Sequence, residues 1–198
     1  TGLGEIYQYT LEADGRSAMD LRTIQDWIVS PLLKPIPGVN EVNSFGGEVK
    51  QYQVLVSPER LLEYDLTVGE VVEAVAQGNA NAGGGVLVRG WEQLYMRGVG
   101  LLKDVPDIER TVLKAVDGSP VYVRDVADVV IGAEPRQGAV SRDGKGEVVA
   151  GMIIMLKGAN SQDVVSRVKA SVEKVRDTLP PGVRLNVFYD RTSLIEAC

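Results

Sequence analysis

A strand, helix, strand pattern occurs at each end of this chain, and whatever the two copies build together must tolerate a long stretch between them. The first copy starts with Glu5 to Glu12, Glu-Ile-Tyr-Gln-Tyr-Thr-Leu-Glu, which is rich in aromatic and β-branched residues at period two and so predicts a strand. A turn over Ala13-Asp14-Gly15-Arg16-Ser17 follows. From Asp20 the apolar positions become Leu21, Ile24, Ile28 and Leu32, spaced by three or four as on one face of a helix. Pro31 is expected to kink that helix or end it early. Lys34-Pro35-Ile36-Pro37-Gly38 stops it and leads into Val39–Phe45. In that strand, alternation predicts Val39, Glu41, Asn43 and Phe45 on one face and Asn40, Val42 and Ser44 on the other. Gly46 and Gly47 end it.

The second copy follows Pro135. Ala139 to Arg142, an Asp143-Gly144 turn and Val148 to Leu156 predict a hairpin. The longest helix runs from about Ser161 to Leu179, with Asn160 as N-cap and Asp163 in its first turn. Its stripe is Val165, Val168, Val172, Val175 and Leu179. Pro180-Pro181-Gly182 breaks it, and Arg184 to Tyr189 is the last strand. Two such halves folded together make an α+β, ferredoxin-like split βαβ sandwich, one sheet with both helices on one face and the other face free.

Between the halves the pattern is shorter and mixed. Gln51 to Val56 reads as a strand, Pro58 to Tyr64 as a brief helix, and Thr67-Val68-Gly69-Glu70 as a capping box opening a helix that ends at Gln77-Gly78-Asn79. Gly83-Gly84-Gly85 is a flexible base for a hairpin over 83–98. Strands are expected at Thr111 to Val116, Val121 to Val123 and Val129 to Ile131. A strand-to-strand link this long is expected to be a domain of its own. The division is therefore 1–47 and 137–191 for the split sandwich and 48–136 for a mixed α/β insert. Residues 192–198, with Thr192 or Ser193 as N-cap, read as the start of a further helix.

Composition excludes several functions. The net charge is −6 over 198 residues, and no basic stripe is present to exchange phosphate counterions, which argues against a nucleic-acid binder. Histidine is absent and the single cysteine is Cys198, the last residue. That removes internal disulfides, thiolate and imidazole metal sites, and the nucleophile pairs that depend on His. An enzyme would have to work with paired carboxylates, and the recurring Asp and Glu are accounted for by a solvated acidic surface. No enzyme and no cofactor is expected.

The residues Gly4-Glu5-Ile6-Tyr7-Gln8-Tyr9, Leu21 to Trp27, Pro37 to Val42, Phe45-Gly46-Gly47, Val121 to Ala127 and Tyr189-Asp190-Arg191-Thr192 resemble the periplasmic part of the heavy-metal efflux branch of the resistance-nodulation-division transporters, the cobalt-zinc-cadmium and copper-silver pumps in particular. The resemblance spans the chain in one register. It implies a porter subdomain split by an inserted docking subdomain, with residues 192–198 opening the next transmembrane helix. It further implies a fragment of a trimeric proton antiporter of a Gram-negative inner membrane, joined to a membrane-fusion protein and an outer-membrane channel. The transported heavy-metal cation is the substrate.

Three readings compete on that basis: a wall of a metal-cation path, a piece of a multidrug pump, or an assembly module with no ligand site. A multidrug cleft calls for aromatic lining, and only 6% of the chain is aromatic, with two Phe. For a cation path the candidate metal residues are Glu5 and Glu41, at equivalent ends of two parallel strands with one strand between, about 10 Å apart in backbone at ~4.8 Å per strand. The alternative is a pair of solvated strand-end carboxylates. Met152 and Met155 stand three apart on a strand, so they face opposite ways, cannot chelate together, and read as core fillers. Val86, Leu87, Val88 and Trp91 form an apolar cluster on the glycine-based hairpin, which reads as an arm onto a neighbouring copy of the chain, or else as a hairpin folded back with Trp91 in its own core.

Overall fold

The structure, a computed structural model, describes residues 4–98, 100–136, 138–144 and 146–192. The chain divides into two compact units, one made of Thr1–Lys50 with Ala133–Cys198 and the other of Gln51–Gly132.

The first unit opens with β1 (Glu5–Ala13) and α1 (Ala18–Ile24). The Ser17 hydroxyl accepts the Asp20 N–H at 3.1 Å and the Asp20 carboxylate accepts the Ser17 N–H at 3.3 Å, a reciprocal cap that fixes where the helix starts. Pro31 does not end the helix. The chain passes through a π-helical turn at Gln25–Val29 and resumes as α2 (Ser30–Leu33). A proline deprives the helix of one N–H and crowds the preceding turn; the wider turn relieves both, with the Ser30 N–H reaching back to the Gln25 carbonyl. One residue is thereby added to the helical period. The buried stripe expected at Ile28 and Leu32 consequently shifts to Val29 and Leu33, both 0% exposed, while Leu32 is 47% exposed.

Next comes β2 (Val39–Phe45). A register shift between Val39 and Glu41 separates these two residues, so they do not share a face as strict alternation predicts. Val39 is buried with the helices and Glu41 is exposed.

The second unit contains β3 (Lys50–Val56, entering from the first unit), α3 (Pro58–Glu63), α4 (Val68–Gly78), β4 (Ala82–Arg89), β5 (Glu92–Gly98), α5 (Val105–Glu109), β6 (Val112–Val116), β7 (Ser119–Tyr122), α6 (Val123–Val126) and β8 (Ala127–Ala133). The strands pair two by two, β3 with β8, β4 with β5 and β6 with β7. Leu61, Leu66, Val71, Ile108, Val121, Val123, Val126 and Val129 make its core. Thr67 and Glu70 form the capping box of α4. Val123 opens a helix where a strand was expected, because the Asp125 carboxylate accepts the Tyr122 N–H at 2.7 Å and turns the chain. The hairpin of β4 and β5 carries Trp91 fully exposed at its tip, not in a core.

The chain then completes the first unit with β9 (Val140–Ser141), β10 (Glu147–Met155), α7 (Ser161–Thr178) and β11 (Val183–Asp190). Asn160 caps α7 by accepting the N–H groups of Gln162 and Asp163. The sheet runs β11-β1-β10-β2, antiparallel throughout, with β9 also on β10. Both helical segments bury their apolar stripes against one face: Tyr7, Tyr9, Leu11, Val149, Ile153 and Leu185 of the strands meet Leu21, Ile24, Val29 and Leu33 on one side and Val164, Val165, Val168, Val172 and Val175 on the other. Burial of each such side chain contributes roughly 1.5–3 kcal/mol. Of the expected helix at 192–198, residues 193–198 lie outside the described residues.

Candidate functional site

The face of the first unit's sheet away from the helices is read off the registers. Tyr189, Gln8, Met152 and Asn43 form one row across four strands, and Asn186, Thr10, Ala150 and Phe45 form the next. Above them Glu5 of β1 and Glu41 of β2 are both registered against a single residue, Ile154 of the intervening β10. The two carboxylates thus stand level with each other, one strand apart, which puts their backbones about 10 Å apart. β1 and β2 are each irregular at this level, with shifts next to Glu5 and next to Glu41.

Each carboxylate is oriented by an amide from the adjacent row. Gln8 Nε2 donates to Glu5 Oε2 at 3.2 Å and Asn43 Nδ2 donates to Glu41 Oε1 at 3.4 Å. Glu5 is half-buried and Glu41 exposed. Farther along the same face Glu12 is already occupied: the Thr10 hydroxyl donates to it at 2.9 Å and Arg142 pairs with it at 3.0 Å. Burial pushes the Glu12 carboxyl up, but hydrogen bonds from Thr10, Asn186 and Arg142 outweigh it and hold it below the usual carboxylate range. Arg142 also donates to the Thr10 hydroxyl, which satisfies a threonine that lies buried beside Ala150 on this face.

Met152 lies in the row between Gln8 and Asn43, on the open face, and is not a core filler; Met155 packs against the core. The difference follows from strand alternation, because Ile153 between them points to the helices. The sequence did not single out Gln8 and Asn43. Their spacings of three and two from the two carboxylates become informative only once the strands and their irregularities are placed.

Among the described residues no group of three or more His, Cys, Asp or Glu side chains is arranged to hold a metal ion; Glu5 and Glu41 are two carboxylates at one level of the sheet. A cleft of about 480 Å³ in this unit is found elsewhere, at the far end of β2, lined by Arg22, Phe45, Gly47, Glu48, Glu134 and Arg136. Among the described residues no helix is long and apolar enough to cross a membrane.

The sequence matches the model of the AcrB/AcrD/AcrF family over residues 1–198. It is 43% identical over 205 residues to the cobalt-zinc-cadmium resistance protein CzcA of Cupriavidus metallidurans, covering 99% of this chain and 19% of that protein. It is 42% identical over 199 residues to the cation efflux system protein CusA of Escherichia coli, again covering 99% of this chain and 19% of the relative. The chain therefore spans about a fifth of the length of these curated relatives. A crystal structure of a heavy metal efflux pump superposes with a TM-score of 0.84 at 34% identity, over 100% of this chain and 20% of that one.

Proposed function

Because the chain belongs to the AcrB/AcrD/AcrF family along its whole length, we propose that it is the periplasmic portion of a proton-driven pump that exports heavy-metal cations across a Gram-negative inner membrane. The reading rests on one observation: relatives named for cation efflux and metal resistance share more than two-fifths of its residues across nearly the entire chain, at 43% and 42% identity. In this reading the chain is part of a transporter and not of an enzyme. The first unit supplies one wall of the cation path, and Glu5 and Glu41 face the passing ion.

Two oxygen-bearing side chains held at one level of a sheet attract a divalent cation without enclosing it. That suits a path, where an ion has to leave as readily as it arrives. Remaining ligands come from parts of the pump beyond this chain, and the metal is the cargo. The second unit serves docking: its exposed hairpin joins one copy of the chain to the next in a homotrimer, which meets a membrane-fusion protein and an outer-membrane channel. The test is metal resistance of cells carrying the intact pump with Glu5→Gln and Glu41→Gln together. Resistance is expected to fall at equal expression, and undiminished resistance overturns the role given to the two carboxylates.

A further inference from the structure

The chain leaves the first unit after Lys50 and re-enters it at Ala133, and both crossings converge on one carboxylate. Glu147, the first residue of β10, accepts the Gly47 N–H at 3.1 Å and pairs with the guanidinium of Arg136. Arg136 also reaches Glu48, at 4.0 Å. Beside this, the Glu134 N–H donates to the Val49 carbonyl at 2.9 Å, so the outgoing and returning segments are bonded to each other. Arg22 of α1 donates to the Gly46 carbonyl at 3.0 Å and pairs with Asp26 at 2.7 Å, while Ser44 of β2 donates to the same Asp26 at 2.6 Å. The end of β2 is thus held from the helix side and from the β10 side within a few residues of both crossings.

We propose that the Glu147 carboxylate is a clamp, pinning the outgoing and returning segments to the end of the sheet so that displacement of the inserted unit bends the chain beyond residues 50 and 133 and does not fray β2 or β10. An insert whose two ends leave one sheet at neighbouring points pulls on both whenever it moves, and a strand end yields first where its backbone bonds are few. A carboxylate that accepts from the backbone of one segment and a guanidinium of the other carries that pull into β10, an interior strand of the sheet.

Hydrogen exchange of the whole chain, resolved by segment, tests the clamp with Glu147→Ala and Arg136→Met. Glu147→Ala is expected to speed exchange at least tenfold in segments 44–50 and 134–141 through local opening that sub-denaturing urea hardly changes, while α7 and β11 still exchange only by the urea-sensitive unfolding of the unit. Arg136→Met is expected to produce the same pattern more weakly, because Gly47 keeps its acceptor. The Arg136 side chain is 40% exposed, so this second variant reads the clamp even where Glu147→Ala is too unstable to purify. Wild-type exchange in both segments overturns the proposal, and so does acceleration there with the same urea dependence as α7 and β11, which would make Glu147 a general stabiliser.

Discussion

Replacing Gly47 by Ala measures how tightly the end of β2 is built. Gly47 has φ +69°, and a Cβ there would lie 2.8 Å from the Ala18 carbonyl oxygen, from Arg22 Cβ and from Val149 Cγ2. The left-handed backbone costs an alanine about 1–2 kcal/mol. Three contacts, one of them with backbone on α1, add about 1–3 kcal/mol for overpacking. The expected loss is therefore about 2–5 kcal/mol. Gly144 supplies the control within the same unit: its φ is +66°, but a Cβ there would meet nothing within 4 Å. Gly144→Ala should lose only the backbone contribution, and the smaller unfolded-state entropy of alanine offsets both variants alike. Two compact units make a single unfolding midpoint ambiguous, so the readout is native-state exchange of the buried valine amides of α7. At tenfold per 1.4 kcal/mol, Gly47→Ala should accelerate them roughly 30- to 4,000-fold and Gly144→Ala roughly 5- to 25-fold. Equal acceleration in the two variants refutes the steric part of the reasoning.

Asp190 sits at the end of β11, where the Thr192 N–H donates to it at 2.8 Å and Lys169 of α7 pairs with it at 3.1 Å. Hydrogen bonding from Thr192 first, and then the Lys169 charge, holds its carboxyl below the usual range. A depressed folded-state value means stability that is present above the unfolded pKa near 4 and lost as pH falls through the folded one. Asp190→Asn should thus cost on the order of 1 kcal/mol at pH 7, a deficit that shrinks as pH falls through the folded-state value; exchange of the α7 amides showing the same deficit at pH 7 and in strong acid would reject this. Tyr9 donates to Gln25 at 3.1 Å inside the core, and Gln25 Nε2 has no partner among the described residues. Tyr9→Phe alone should cost about 1–3 kcal/mol, while Tyr9→Phe with Gln25→Met should come within about 1 kcal/mol of wild type, and a double variant whose α7 amides exchange faster than the single one's would contradict the pairing. Under the proposed function, Trp91→Asp in the intact pump should weaken the proposed trimer without disturbing the first unit's sheet, and a trimer of unchanged stability in detergent removes the hairpin as its anchor.

Much of this was legible in the chain because local rules and long-range packing agree. The α7 stripe, the Asn160 cap, the Thr67–Glu70 box and the exposed hairpin were all readable from spacing and residue type. Elements were missed where one residue is added to a regular period. Pro31 announces a break, yet nothing local says that a π turn will absorb it and move burial from Leu32 to Leu33. The irregularity between Val39 and Glu41 is equally silent, because it answers to β10 and not to its own neighbours. Short α5 starts where the Asp104 carboxylate accepts the Asp107 N–H and Asp107 accepts the Lys103 N–H, and short α6 where Asp125 accepts the Tyr122 N–H, too little signal to separate from a turn. For the candidate site, the level placement of Glu5 and Glu41 followed from topology. The amides that orient them required the registers.

The strand order has a consequence for synthesis. β1 is made before every other strand of its sheet and ends up inside it, its partners β10 and β11 lying more than a hundred residues later in the sequence, so that Tyr7 lies against Ile153 and Asp190. A growing polypeptide exposes Ile6, Tyr7, Tyr9 and Leu11 with neither edge of β1 satisfied until β10 and β11 have been translated. Residues 51–132 carry their own core and have no such wait. The insert is therefore expected to fold first as the chain leaves the ribosome, with the sheet that carries it assembling last and β1 exposed to misassembly in the interval.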